Sequence, residues 1–189
     1  ASAWASTLRP NGEFMESSSI QRQIQRNMRD IAALMGLVLL ACIVLIPTLV
    51  SDKIAWNTQG VLQLPPWQEA RAEQATPAPL SDEALRYYPW YAFLNQAAHN
   101  DQSILWNPLE GAGAPFFGAW RTRAMSPFSI PLYLLPLDTA LRLIALIKLI
   151  VAAWTMYYVS RKLGFSVPLA FAAAVAVQFS AFNLIWMNR

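Results

Sequence analysis

Three apolar runs organise the chain. The first, residues 31–50, holds 20 residues without a charge, about the number a helix needs to cross ~30 Å of hydrocarbon at ~1.5 Å per residue. A membrane-spanning helix is therefore predicted there, with Pro47 tolerable near its end. The second run, 139–159, is interrupted by Arg142 and Lys148. The third, 167–187, carries no charge and contains Ala170, Ala172, Ala173, Ala174, Ala176 and Ala181, small side chains that let helices approach closely in lipid. Ahead of the first run, Ile20, Ile24, Met28 and Ile31 recur at helical spacing, with arginines on the other face. The stretch 17–30 therefore reads either as an amphipathic helix on a membrane surface or as a solvated extension of the span. The expected fold is an all-α, polytopic helix bundle with a long, partly helical loop between its first two spans. Its expected parts are an N-terminal segment 1–30, spans at 31–50, 139–159 and 167–187, a long loop 51–138 and a short loop 160–166.

Composition agrees with a membrane class. Of 189 residues 56% are hydrophobic and 13% charged, whereas a soluble domain has roughly a quarter charged. The net charge of +3 is too small and scattered for nucleic acid. Cys42 is the single cysteine, so an internal disulfide is excluded. Arg22, Arg26 and Arg29 precede the first span, and Arg161 and Lys162 separate the second from the third. The positive-inside rule places both clusters, and the N-terminus, in the cytoplasm. The long loop then faces outward, and between residues 51 and 126 its seven acids outnumber its five bases. A start at Ala1 and an end just beyond an apolar stretch suggest a piece of a longer protein, whose further transmembrane helices would complete the bundle.

Two look-alikes fail. Leu39-Leu40-Ala41-Cys42 resembles a lipoprotein cleavage box, but the apolar run continues through Val50, and a polar lead of about 30 residues is long for a signal peptide. Gly111-Ala112-Gly113 lacks the third glycine and the strand–helix setting of a dinucleotide turn.

Within the loop, 59–80 holds four prolines and reads as an irregular connector. From Ser81 the character changes. Ser81-Asp82-Glu83 is a possible helix start, Tyr87, Tyr88, Trp90, Tyr91 and Phe93 follow closely, and Pro89 either kinks that helix or begins another. Trp106-Asn107-Pro108, the Gly/Pro-rich stretch 111–118, and Arg121 and Arg123 come next. So apolar a loop is expected to pack onto the ends of the helices.

Asp82 followed by Tyr87-Tyr88-Pro89, then Trp106-Asn107-Pro108, then Gly111-x-Gly113-x-Pro115 resembles the first external loop of the YfhO-like membrane proteins of the GT-C glycosyltransferase class. The stretch 148–164 and Phe179-Ser180-Ala181-Phe182-Asn183-x-x-Trp186 are similar to that family's next two helices. The likeness covers about residues 81–189. The family often has Tyr ahead of the proline where Ser126-Pro127 stands, and His where Lys148 and Asn188 stand. The resemblance implies sugar transfer on the outer face of a membrane, that of a bacterium's cytoplasmic membrane. The donor would be a polyprenyl-phosphate-linked sugar, the acceptor an envelope glycan, lipid or polymer, and the active-site acid of the first loop would be Asp82.

Sugar transfer needs a base for the acceptor hydroxyl and cationic or metal help for the departing phosphate. Asp82 suits the base, or the holding of a divalent Mg or Mn ion; equally, it can cap a helix and pair with Arg86 four residues on. Asp138 reads as the N-cap of the second span. Lys148, in mid-span, costs about 2.5–3.5 kcal/mol on insertion scales, so it is expected to face the bundle interior, toward a lipid phosphate or a structural partner. Arg142 is near enough to the end to snorkel. Arg121 and Arg123 suit a phosphate clamp or anionic headgroups of membrane lipid. His99 reads as the end of a surface helix. Trp106, fixed beside Asn107-Pro108, is the aromatic chosen for stacking on sugar, and Arg86, Tyr87 and Asn107 complete the expected substrate-binding set. Two other classes compete: a non-catalytic membrane protein whose loop binds glycan or a partner subunit, and a transporter using Lys148, Gln178 and Asn183. The sequence offers the transporter no broken-helix signature.

Overall fold

The computed structural model describes residues 11–50 and 82–186; the connector expected at 59–80 and the polar end at 188–189 lie outside them. The described chain is mostly helical. Helix α1, Asn11–Val50, runs 40 residues without a break at Asp30, so the polar stretch before the first span is its extension. The part Gln23–Thr48 is long and apolar enough to cross a membrane.

Residues 82–134 fold into a cap. A π-helical turn, Glu83–Tyr87, leads into α2, Tyr88–His99, with Pro89 in its first turn. Proline is compatible with the first turn of a helix, and here it follows the change from π-helical to α-helical winding. Strands β1, Trp106–Asn107, and β2, Ala114–Pro115, pair antiparallel with Trp106 opposite Pro115. Gly113, at φ +101°, makes the return, and a Cβ there would lie 2.5 Å from Trp106 Nε1, so the close approach of indole to backbone requires glycine. Two 3-10 turns, Trp120–Thr122 and Pro127–Ser129, precede α3, Ile130–Leu134. Asn95 Nδ2 donates to both the Leu132 and Leu135 carbonyls at 2.7 Å, tying α2 to the end of α3.

Helix α4, Leu137–Lys162, is the second helix long and apolar enough to cross a membrane. Its N-cap is Pro136, with no side-chain cap, which corrects the assignment of Asp138 as N-cap. Asp138 lies in the first turn, where a carboxylate suits the positive end of the helix dipole. The cap's core of Trp90, Tyr91, Phe93, Leu94, Phe116 and Leu132 closes onto Ala140, Leu141 and Ile144 of α4.

The third apolar run is not one helix. It forms α5, Val167–Gln178, and α6, Ala181–Trp186, broken at Phe179 and Ser180. Twelve residues reach only about 18 Å, short of the ~30 Å a single span must cover. The cause is local. Ser180 Oγ accepts from the Asn183 N–H at 3.3 Å, as an N-cap does, and Asn183 Nδ2 takes the Val177 carbonyl at 2.6 Å. Continuation would have offered that carbonyl to the Ala181 N–H.

The helices pack through small residues, as the alanine content predicts. Ala33 and Leu37 of α1 meet Ala153 and Tyr157 of α4 and Ala170 and Ala174 of α5, while Ala41 and Leu45 meet Ala145 and Leu149. As α1 numbers rise, α4 numbers fall, so α1 and α4 are antiparallel and α5 runs alongside α1. Gln178, fully buried, donates to the Leu37 carbonyl at 3.1 Å. At the end away from the cap, Asp30 accepts from Arg161 Nε at 2.8 Å and from the Tyr157 hydroxyl at 2.6 Å.

Candidate functional site

The cap, α4 and α6 enclose a cavity of about 470 Å³. Arg123 and Lys148 line it, with Tyr91, Ser126 and Asn183 among its polar edges and Trp120, Phe128, Phe182 and Trp186 among its aromatic walls. Beyond the break in the third run, α6 supplies Phe182, Asn183 and Trp186 to its lining.

The backbone path of the cap aims Arg123. The residue caps a 3-10 turn at φ 58°, in the left-handed region, and its carbonyl accepts from the Ser129 hydroxyl at 2.7 Å and the Ser126 N–H at 2.9 Å. An arginine held at positive φ is unfavourable by order 1–3 kcal/mol unless its surroundings fix it. Here they do. The guanidinium lies 5.4 Å from the Tyr87 ring centre, and that of Arg121 lies 6.0 Å from Trp90, two cation–π contacts of a kind worth ~0.5–1 kcal/mol when exposed. Trp90 meets the Tyr87 ring edge-on at 5.7 Å and donates its indole N–H to Glu110 at 3.1 Å. Tyr87 and Trp90 are thus the shelf on which both arginines rest. Burial pushes the Tyr91 phenol up from its ordinary value, opposed by the nearby Arg123 charge, so Tyr91 stays neutral and able to donate.

The expected site residues separate into groups. Arg123 and Lys148 come together at the cavity. Tyr87 and Arg121 flank it through the shelf. Asp82 sits about one turn before Tyr87 and Arg86 directly before it, both more than half exposed, with Asp82 Oδ1 3.9 Å from Arg86 Nε; the i, i+4 pair foreseen for them forms. Asn107 is buried and accepts from the Leu109 N–H at 3.0 Å, so it shapes the turn. Trp106 is half exposed over Gly113 and does not line the cavity. His99 ends α2, exposed, with Nδ1 2.8 Å from the Asn95 carbonyl. Arg142 is half-buried, and its Nε has no hydrogen-bond partner among the described residues. Ser126, Phe128, Phe182 and Trp186 were not foreseen as lining residues; the i, i+4 spacing of Phe182 and Trp186, whose rings stack at 5.9 Å, was the available signal.

Among the described residues no group of three or more His, Cys, Asp or Glu gathers to hold a metal. A divalent ion at Asp82 would draw its remaining oxygen ligands from substrate, water or residues outside those described.

Chemically, the cavity offers two cations, hydroxyl and amide groups, and aromatic walls. That combination suits the anionic head of an amphiphile. No protein-family model, curated protein or solved structure matches the chain.

Proposed function

We propose that the chain is part of an integral-membrane glycosyltransferase of the GT-C class, resembling the YfhO-like proteins, which moves a sugar from a polyprenyl-phosphate donor to an envelope acceptor. The observation that carries this reading is the convergence of Arg123 and Lys148 on one aromatic-walled cavity. In this reading α1 and α4 cross the cytoplasmic membrane of a bacterium with the N-terminus inside, the cap lies on the outer face, and further helices complete the bundle.

The donor's phosphate takes the cavity and its prenyl chain runs out between the helices. The acceptor oxygen attacks the anomeric carbon, the bond from that carbon to the phosphate oxygen breaks, and the acceptor proton passes to the Asp82 carboxylate. Negative charge then grows on the departing phosphate. Arg123 and Lys148 meet it as cations positioned on the cavity wall. The Tyr87 ring, edge-on to Trp90, carries the Arg123 guanidinium. A metal ion, if one takes part, would supply further charge neutralisation.

The test is sugar transfer by the full-length Asp82→Asn protein in proteoliposomes. Loss of transfer with normal insertion supports Asp82 as base; full transfer removes it from the chemistry.

A second reading, a transporter of an anionic amphiphile, gains from the helix break beside Asn183 and Lys148, since irregular backbone at membrane depth belongs where it lines a cavity. Flux of such a compound without a glycosyl product would favour it.

A further inference from the structure

At the opposite end of the bundle from the cap, α1 and α4 leave a second cavity of about 500 Å³, lined by Arg26, Asp30, Leu34, Trp154, Tyr157, Tyr158, Arg161 and Lys162. Its chemistry is ordered along the helices. At the outer end stand three bases and one acid. The acid is already engaged: Asp30 accepts from Tyr157 and from both Arg161 Nε at 2.8 Å and Arg161 NH2 at 3.4 Å. Arg161 is thereby turned inward and also donates to the Phe165 carbonyl at 2.6 Å. The remaining charge comes from Arg26 and from Lys162, whose ammonium lies 5.4 Å from the Tyr158 ring centre. One turn deeper the wall becomes apolar, with Leu34 and the half-exposed Trp154, whose indole N–H is held by the Leu34 carbonyl at 3.3 Å.

We propose that this groove is a binding site for one anionic phospholipid of the cytoplasmic leaflet. Its phosphate sits between Arg26 and Lys162, and an acyl chain lies along Trp154 and Leu34. A soluble anion would use the charged end alone and leave the apolar end wet. A neutral lipid would use the apolar end and leave two cations uncompensated. Only an amphiphile with a negative head matches both, and basic residues at this depth attract anionic headgroups. The hydrogen-bonded Asp30–Arg161–Tyr157 cluster lines the same groove as the two cations. The proposal rests on the bilayer placement of α1 and α4, and not on sugar transfer.

The experiment is native mass spectrometry of the full-length chain in nonionic detergent, titrated with dioleoylphosphatidylglycerol, dioleoylphosphatidylcholine or inorganic phosphate. The unmodified chain is expected to retain the glycerol lipid in preference to the choline lipid. Arg26→Gln and Lys162→Gln should each weaken that retention about fivefold. Both groove variants alter exposed side chains and leave the Asp30–Arg161 pair intact, so folding is not at stake. Equal retention of the two lipids, no effect of either groove variant, or displacement of lipid by an equal concentration of inorganic phosphate would overturn the assignment. Carbonate extraction of the chain from vesicles would overturn the bilayer placement beneath it, whereas loss of sugar transfer alone leaves the lipid site standing.

Discussion

Arg161 grips Asp30 with two guanidinium nitrogens across 131 residues of sequence, joining α1 to the last turn of α4. Both side chains are less than a third exposed, so the contact is screened far less than a surface pair. It also fixes the vertical register of α1 on α4, since Ala33, Leu37, Ala41 and Leu45 meet their partners in descending order from it.

Breaking this contact should therefore cost stability. Asp30→Asn and Arg161→Met are each expected to lower the thermal midpoint of the purified protein. A double-mutant cycle should return a coupling of about 1.5–3 kcal/mol, the range for charge-assisted hydrogen bonds. Tyr157→Phe removes one neutral donor and should cost about 0.5–1.5 kcal/mol. Additive effects of the two charge variants would show that the pair is ornamental.

The two glycines of the cap hairpin should respond unequally. Gly111 has φ +62° with open space around it, whereas Gly113 has φ +101° and the Trp106 indole directly over it. Gly111→Ala pays only for the left-handed backbone, roughly 1–2 kcal/mol. Gly113→Ala must also displace Trp106, and limited proteolysis of the cap should show it markedly more sensitive. Equal sensitivity would mean that the indole does not pack as described.

The break between α5 and α6 is set by Ser180 and Asn183. Asn183→Leu combined with Ser180→Ala should let the helix continue. Spin labels at positions 169 and 185, both exposed, would then lie about 24 Å apart along the axis, and closer in the unmodified protein. No change in the distance distribution would place the cause of the break elsewhere.

That break also marks how far the sequence could be read. The apolar runs at 31–50 and 139–159 are legible because length and apolar composition predict a long helix, in the second case despite Arg142 and Lys148, and α1 and α4 follow. The run 167–187 carries no charge, with Gln178, Ser180 and Asn183 inside it, so the absence of charge alone could not locate an interruption made by one hydroxyl and one amide. The expectation that Asp82 pairs with Arg86 is local, and it forms. What brings Arg123 to Lys148 is not local: it depends on a positive-φ turn, a shelf of Tyr87 and Trp90, and the α6 deflection. Asp30 escaped notice because an acid among Arg22, Arg26 and Arg29 looks like surface charge until Arg161 is placed beside it.

The cavity at Arg123 and Lys148 is the centre of the account, and its ligand can be measured directly. The affinity of the full-length protein in nanodiscs for a polyprenyl phosphate should fall at least about tenfold in Arg123→Gln and again in Lys148→Met, since a hydrogen bond to a charged group is worth about 1.5–3 kcal/mol. Affinity unchanged in both variants, with the fold intact, would contradict the assignment of this cavity to a lipid phosphate.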